Sequence, residues 1–181
     1  VTEQRQKHVK IEILDPALLG YDLAQQGKWD QAAAAYEKAI KDKRYKKNLN
    51  TFLALAEVYK QTSDFTAALS VFARLPKEFM GNIQVDLLKA DIYQANEDKD
   101  GVKAALSAAE AKAGEDLNLL NHVLAKLKAA ELSAETQALE EKIAALQERF
   151  EQEQAALSKQ LEAEQESFEA QQKQEGIIET D

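Results

Sequence analysis

Apolar residues recur at three- and four-residue intervals, the period of a helix buried along one side, in runs broken by polar or glycine-bearing stretches. The pattern predicts helices over 16–26, 29–43, 48–62, 65–75, 83–95, 98–113 and 116–130, then one long helix from 133. Local punctuation agrees. Asp15 precedes Pro16, an N-cap followed by the residue best suited to a first helical position. Gly27, Gly101 and Gly114 fall between apolar segments, where turn or C-cap glycines belong. All connections are short, so neighbouring helices should form antiparallel hairpins. Residues 1–14 differ. In "KHVKIEIL", Val9, Ile11 and Ile13 alternate with Lys10 and Glu12, as in a strand. A single strand is not stable alone, so this lead-in reads either as the remnant strand of an upstream domain or as a disordered segment, with the first favoured.

Laid over one another, the hairpins repeat. The small residue of the first helix is Gly20, then Ala56, then Ala90, spaced by 36 and 34. Three residues on stand Leu23, Tyr59 and Tyr93. The second helix offers Ala32, Ala68 and Val102, then Tyr36, Phe72 and Leu106, then Ala39, Leu75 and Ala109. Trp29 aligns with Phe65, and Lys99 takes that place in the third copy. Small residues let two helices cross closely, and the aromatic fills the space one turn away. On this reading Ala32 sits against Gly20 and Tyr36 fills the next turn, while Ala33 to Ala35 add helix propensity and a slim outer surface. Residues 116–150 supply helices for a fourth hairpin without the signature.

"LG" at Leu19 and Gly20, "GKWDQAAAAYEKAI" from Gly27 and "LAEVYKQTSDFTAALSVF" from Leu55 together resemble the tetratricopeptide repeat, a helical hairpin of ~34 residues with small and aromatic residues at set places. The resemblance covers about three repeats over 15–110, with Gly20, Ala32, Tyr36, Ala56, Tyr59, Ala68, Phe72, Ala90 and Tyr93 as the repeat-defining core. It implies an all-α fold over 15–130, hairpins stacked as a right-handed superhelix whose first helices line a concave groove. It also implies a non-catalytic adaptor or scaffold that holds a peptide or a partner helix there. The first hairpin would line the groove with Ala17, Leu18, Tyr21 and Gln25. The second would add Asn50, Leu53, Glu57, Lys60 and Gln61, and the third Gln84, Leu87, Asp91 and Gln94. One subclass of the family clamps the C-terminal carboxylate of heat-shock chaperone tails with Lys, Asn and Arg. The matching positions here hold Ala17, Tyr21, Ala54, Gln84 and Leu88, so such tails should not bind.

Residues 131–175 follow another rule. Glycine and proline are missing from Glu115 to Glu175. Leu139, Phe150 and Leu161 form one eleven-residue series, and Leu146, Leu157 and Phe168 a second, with Gln154 and Gln165 between. That period gives a nearly straight or slightly right-handed apolar stripe. A helix over 133–175 would be ~65 Å long at 1.5 Å per residue, too long to lie wholly on a small repeat domain. It should project, bind a partner, or pair with a second copy as a coiled coil, which would make the chain a homodimer or a spacer. Residues 176–181 read as a disordered end.

Composition and charge narrow the choices. Alanine and leucine dominate, with only 6 Gly and 2 Pro in 181 residues, which suits helix throughout. The absence of cysteine excludes disulfides, thiol catalysis and Cys-ligated zinc. Residues 1–130 carry 19 Lys and Arg against 18 Asp and Glu, whereas 131–175 carry 4 basic residues against 12 Glu. Neither part has the concentrated positive charge that a nucleic acid requires. The basic run "KDKRYKK", Lys41 to Lys47, falls at an expected helix end, where cations complement the dipole. No apolar run reaches the ~18 residues of a membrane span. With Val1 first and Met80 the only Met, the chain reads as a processed form or an excised piece of a bacterial protein, whose parent is either periplasmic or membrane-tethered, or a cytoplasmic multidomain protein.

Candidate chemistry is thin. His8 and His122 lie far apart in sequence, and His122 in "LLNHVLAKL" reads as a half-buried helix residue. Gly-rich phosphate loops, zincin motifs and serine elbows are absent, so no catalytic residue and no cofactor is expected. "NEDKDG", from Asn96, matches the start of a calcium loop, but Ser107 stands where a bidentate Glu is needed and Lys103 where an apolar residue is. A capped turn, and no metal, is the expectation.

Overall fold

The computed structural model describes residues 15–174. The lead-in and the disordered end expected from the sequence lie outside them. Eight α-helices follow in order among the described residues: α1 (Pro16–Gln25), α2 (Trp29–Ala39), α3 (Leu49–Gln61), α4 (Phe65–Ala73), α5 (Ile83–Ala95), α6 (Lys99–Ala113), α7 (Leu117–Ala129) and α8 (Ser133–Gln174). A 3-10 turn at Lys77–Phe79 separates α4 from α5, and there is no strand among the described residues. The chain divides into two compact units after Ser133.

Short polar side chains cap every helix of the first unit except α2, which starts after Lys28 without a side-chain cap. Asp15 accepts the amides of Ala17 and Leu18 at 3.0 and 3.2 Å. Asp64 caps α4 through Ala67 at 3.0 Å, and Asp98 caps α6 through Gly101 at 2.9 Å. Such a cap is worth about 1 kcal/mol. The calcium-like stretch is therefore the start of a helix. α2 stops at Ala39, four residues before the expected end. The lysines of the basic run that follows are exposed, while its centre forms a tether: the Tyr45 hydroxyl donates to Asp15 Oδ2 at 2.5 Å, and Arg44 reaches the same oxygen at 3.3 Å. Burial would raise the Asp15 carboxyl, but the Tyr45 hydroxyl, the two amides and Arg44 outweigh it and hold Asp15 below its usual range. Arg44 also grips Asp42 at 2.8 Å and draws that carboxyl down to about 2.

The hairpin turns repeat one geometry four times. The amides of Lys28, Asp64, Asp98 and Leu132 donate to the carbonyls of Leu23, Tyr59, Tyr93 and Leu127 at 2.9, 3.0, 2.9 and 3.1 Å, the closing bond of a Schellman turn. The residue before each donor has positive φ: Gly27 at 70°, Ser63 at 59°, Glu97 at 57° and Glu131 at 57°. Only the first is glycine, so the other three each carry roughly 1–2 kcal/mol of left-handed strain. The fourth turn shows that the repeat geometry runs on past α6, although 116–150 lacks the small and aromatic signature.

Packing follows chain order. α1 lies on α2, α3 on α4 and α5 on α6, while α2 meets α3, α4 meets α5 and α6 meets α7. The first helices of successive hairpins also touch, α1 with α3 and α3 with α5. Leu55, Val71, Ile92, Leu106, Leu120 and Val123 are almost wholly enclosed. Ala32, Ala56, Ala68 and Ala90 are buried. The partner of Gly20 is the Tyr36 ring rather than Ala32: a Cβ on Gly20 would stand 2.9 Å from Tyr36 Cδ1. Gly101 is not a turn residue. It lies in the first turn of α6, where a Cβ would come within 2.4 Å of Tyr93 Cδ1, so the ring's close approach is what requires glycine. Gly27 and Gly114 do occupy left-handed positions.

In the second unit, α8 is held along its surface by pairs one turn apart. The Gln137 amide donates to Glu141 at 3.0 Å, that of Gln152 to Glu148 at 3.1 Å, and Arg149 lies 3.4 Å from Glu153. Leu139, Ile143 and Leu146 are buried, whereas Leu157, Leu161 and Phe168 are 50–60% exposed.

Candidate partner-binding surface

Because α1, α3 and α5 stand side by side, the residues expected on the groove come from three adjacent helices. Tyr21, Gln25, Asn50, Gln61 and Gln84 are exposed, and Leu53, Glu57 and Lys60 are half-buried. Lys60 Nζ lies 2.8 Å from Glu57, and the Gln61 amide donates to the same carboxylate at 2.7 Å. Tyr21, with Leu18 and Leu19 nearby on α1, forms the main apolar exposure of the first unit.

Three residues do not lie free there. Leu87 is buried, at 7% exposure. Asp91 pairs with Lys126, and the Gln94 amide donates to the Ala129 carbonyl at 3.3 Å. Asp91 and Gln94 thus brace α5 against α7, and the surface that remains open is chiefly that of α1 and α3. His122 is exposed rather than half-buried.

Polar contacts between helices brace the hairpins. Lys112, near the end of α6, donates to the Asp86 carboxylate and to the Met80 carbonyl at 2.8 Å. The Tyr59 hydroxyl donates to Glu37 at 3.1 Å, and Arg74 holds the same carboxylate at 2.9 Å, joining α2, α3 and the end of α4. Arg74's hydrogen bonds outweigh burial and keep Glu37 below its usual carboxyl range, while burial and the adjacent Glu37 raise the Tyr59 phenol.

Sequence reasoning missed a cavity of about 360 Å³ between the third and fourth turns, lined by Glu97, Lys99, Val102 and Leu132 among others. The matching recess at the first turn, where Trp29 stands, is about 220 Å³. The left-handed positions on the rim of the larger cavity are the glutamates Glu97 and Glu131, a residue type that gives no sequence signal for such a turn. Among the described residues no group of three or more His, Cys, Asp or Glu side chains could hold a metal ion, and no helix is long and apolar enough to cross a membrane.

Residues 23–92 match the family model of the tetratricopeptide repeat. No curated protein and no solved structure matches the chain. Repeats of this family are generally protein–protein interaction modules and typically non-catalytic. The match over residues 23–92 and the all-helical hairpins around it fit a tetratricopeptide-like repeat followed by a long C-terminal helix.

Proposed function

We propose that the chain is a non-catalytic adaptor that binds an extended peptide or a helix of a partner protein along α1 and α3. The observation that carries this reading is the exposed tyrosine–glutamine–asparagine surface of Tyr21, Gln25, Asn50 and Gln61 on two adjacent first helices, beside the Glu57–Lys60 pair. Tyrosine offers contact area at low entropic cost, and amides can pair with a peptide backbone. The test exchanges the charges: Glu57→Lys with Lys60→Glu keeps an ion pair in place while reversing its direction. Capture from source lysate, read by mass spectrometry with both chains as bait, should lose the partner with the exchanged variant at unchanged helix content. Capture of the same partners by both chains would sink the groove reading.

A second reading has its own observation. Leu157, Leu161 and Phe168 form an exposed apolar stripe on α8 that suits pairing with a second copy. Light scattering would then give a dimer for 1–181 and a monomer for Leu157→Lys with Leu161→Lys. A monomeric parent chain would end the idea.

A further inference from the structure

The cavity between the third and fourth turns is a repeat position left unfilled. The residue that opens the second helix of each hairpin is Trp29, Phe65 and then Lys99. The recess at Trp29, walled also by Asp30, Gln31 and Thr62, measures about 220 Å³, and the one at Lys99 measures about 360 Å³. The larger volume lies within the ~300–1,000 Å³ range of ligand pockets. Val102, itself buried, and Leu132 give it apolar wall.

Its polar wall is acidic. Glu97 and Glu131, both at left-handed turn positions, line it together with Asp98, against the single cation Lys99. Asp98 is engaged as the cap of α6. The side chains of Glu97 and Glu131 make no ion pair or hydrogen bond among the described residues. Two available carboxylates therefore face one cavity from successive turns, above an apolar surface.

We propose that this cavity is a docking pocket for an arginine side chain presented by a partner protein. The guanidinium is planar, is more weakly hydrated than an ammonium, and its fork of donors can serve two carboxylates at once. Its three-carbon stem would cover Val102 and Leu132, apolar surface of the kind such stems favour. An isolated lysine head satisfies the charge but not the geometry, and an aromatic ring alone leaves the carboxylates unpaired. The pocket stands apart from the open surface of α1 and α3, so it does not depend on the groove reading.

The test is a titration of the chain with acetyl-Ala-Arg-Ala-amide, followed by backbone amide chemical shifts. Lys and citrulline peptides of the same design serve as comparisons. Saturable shifts should concentrate at 94–102 and 129–132, with the Arg peptide binding at least threefold tighter than the Lys peptide and the citrulline peptide not saturating. Glu97→Gln with Glu131→Gln should weaken the Arg response at least tenfold. Lys99→Phe, which restores the aromatic of the earlier repeats, should abolish it, and Glu57→Gln should leave it unchanged. An equal response to citrulline, shifts centred elsewhere, or binding that survives both the double Gln variant and Lys99→Phe would overturn the proposal.

Discussion

Lys112→Met is expected to destabilise the chain by about 3 kcal/mol, measured by urea unfolding. Asp86 is 5% exposed, and its carboxylate is paired with Lys112. Removing the ammonium leaves an enclosed charge without its counter-ion and takes a donor from the Met80 carbonyl. The Lys112 side chain is itself 27% exposed, which keeps the expected loss at the low end of the ~3–5 kcal/mol seen when one partner of a buried pair is deleted. The discriminating companion is Asp86→Leu with Lys112→Met. Replacing both partners by apolar groups should recover most of the loss, because the cost lies in the orphaned charge more than in the missing attraction. A loss below about 1 kcal/mol for the single variant would mean that the pair behaves as a surface ion pair.

Gly101→Ala should cost about 2 kcal/mol, against the usual trend for a glycine inside a helix. Helix propensity alone would favour alanine by about 1 kcal/mol. The new Cβ, however, would stand 2.4 Å from Cδ1 and 2.5 Å from Cγ of Tyr93. Cγ is fixed close to the backbone, so the ring cannot clear the methyl by moving its far end, and relief requires a rotamer change or a shift of α5 against α6. Gly20→Ala meets the Tyr36 ring at 2.9 Å, and Tyr36, at 5% exposure, has little room to yield. Gly81 has no neighbour that a Cβ would touch, so Gly81→Ala should be nearly neutral. Thermal melts of the three variants give the order. Equal melting temperatures for Gly81→Ala and Gly101→Ala would refute the close-approach account.

The hairpins themselves were legible in the sequence because one residue carries each decision. Asp or Asn before an apolar run fixes a start, and a small residue recurring at a set interval fixes a crossing. Gly101 was misread because a glycine between apolar segments looks the same whether it makes a turn or admits a ring, and only the position of Tyr93 separates the two. The early end of α2 escaped for a related reason. Nothing near Ile40 announces a stop, and the segment after it is organised by Asp15, far back in the chain. On the candidate surface, helix spacing named the residues on one face but not their engagements: Asp91 and Gln94 are drawn toward α7 by Lys126 and the Ala129 carbonyl, partners about a repeat away. The turn cavity was hidden because Glu97 and Glu131 are the wrong residue type for a left-handed position, and a pattern of glycines does not find them.

In the first unit each helix packs chiefly on its neighbours in the chain or on the next first helix along. Loops that must close before native contacts form are therefore short, the condition under which folding is fast. It also confines damage. A weakened hairpin loses its own stability and that of the interfaces beside it, while a hairpin further along keeps its partners. Local opening then begins most readily at an end of the array, where a helix pair has one flank instead of two. The molecule can thus bend or fray at a margin without giving up its interior, a mechanical independence that a single closed core does not allow.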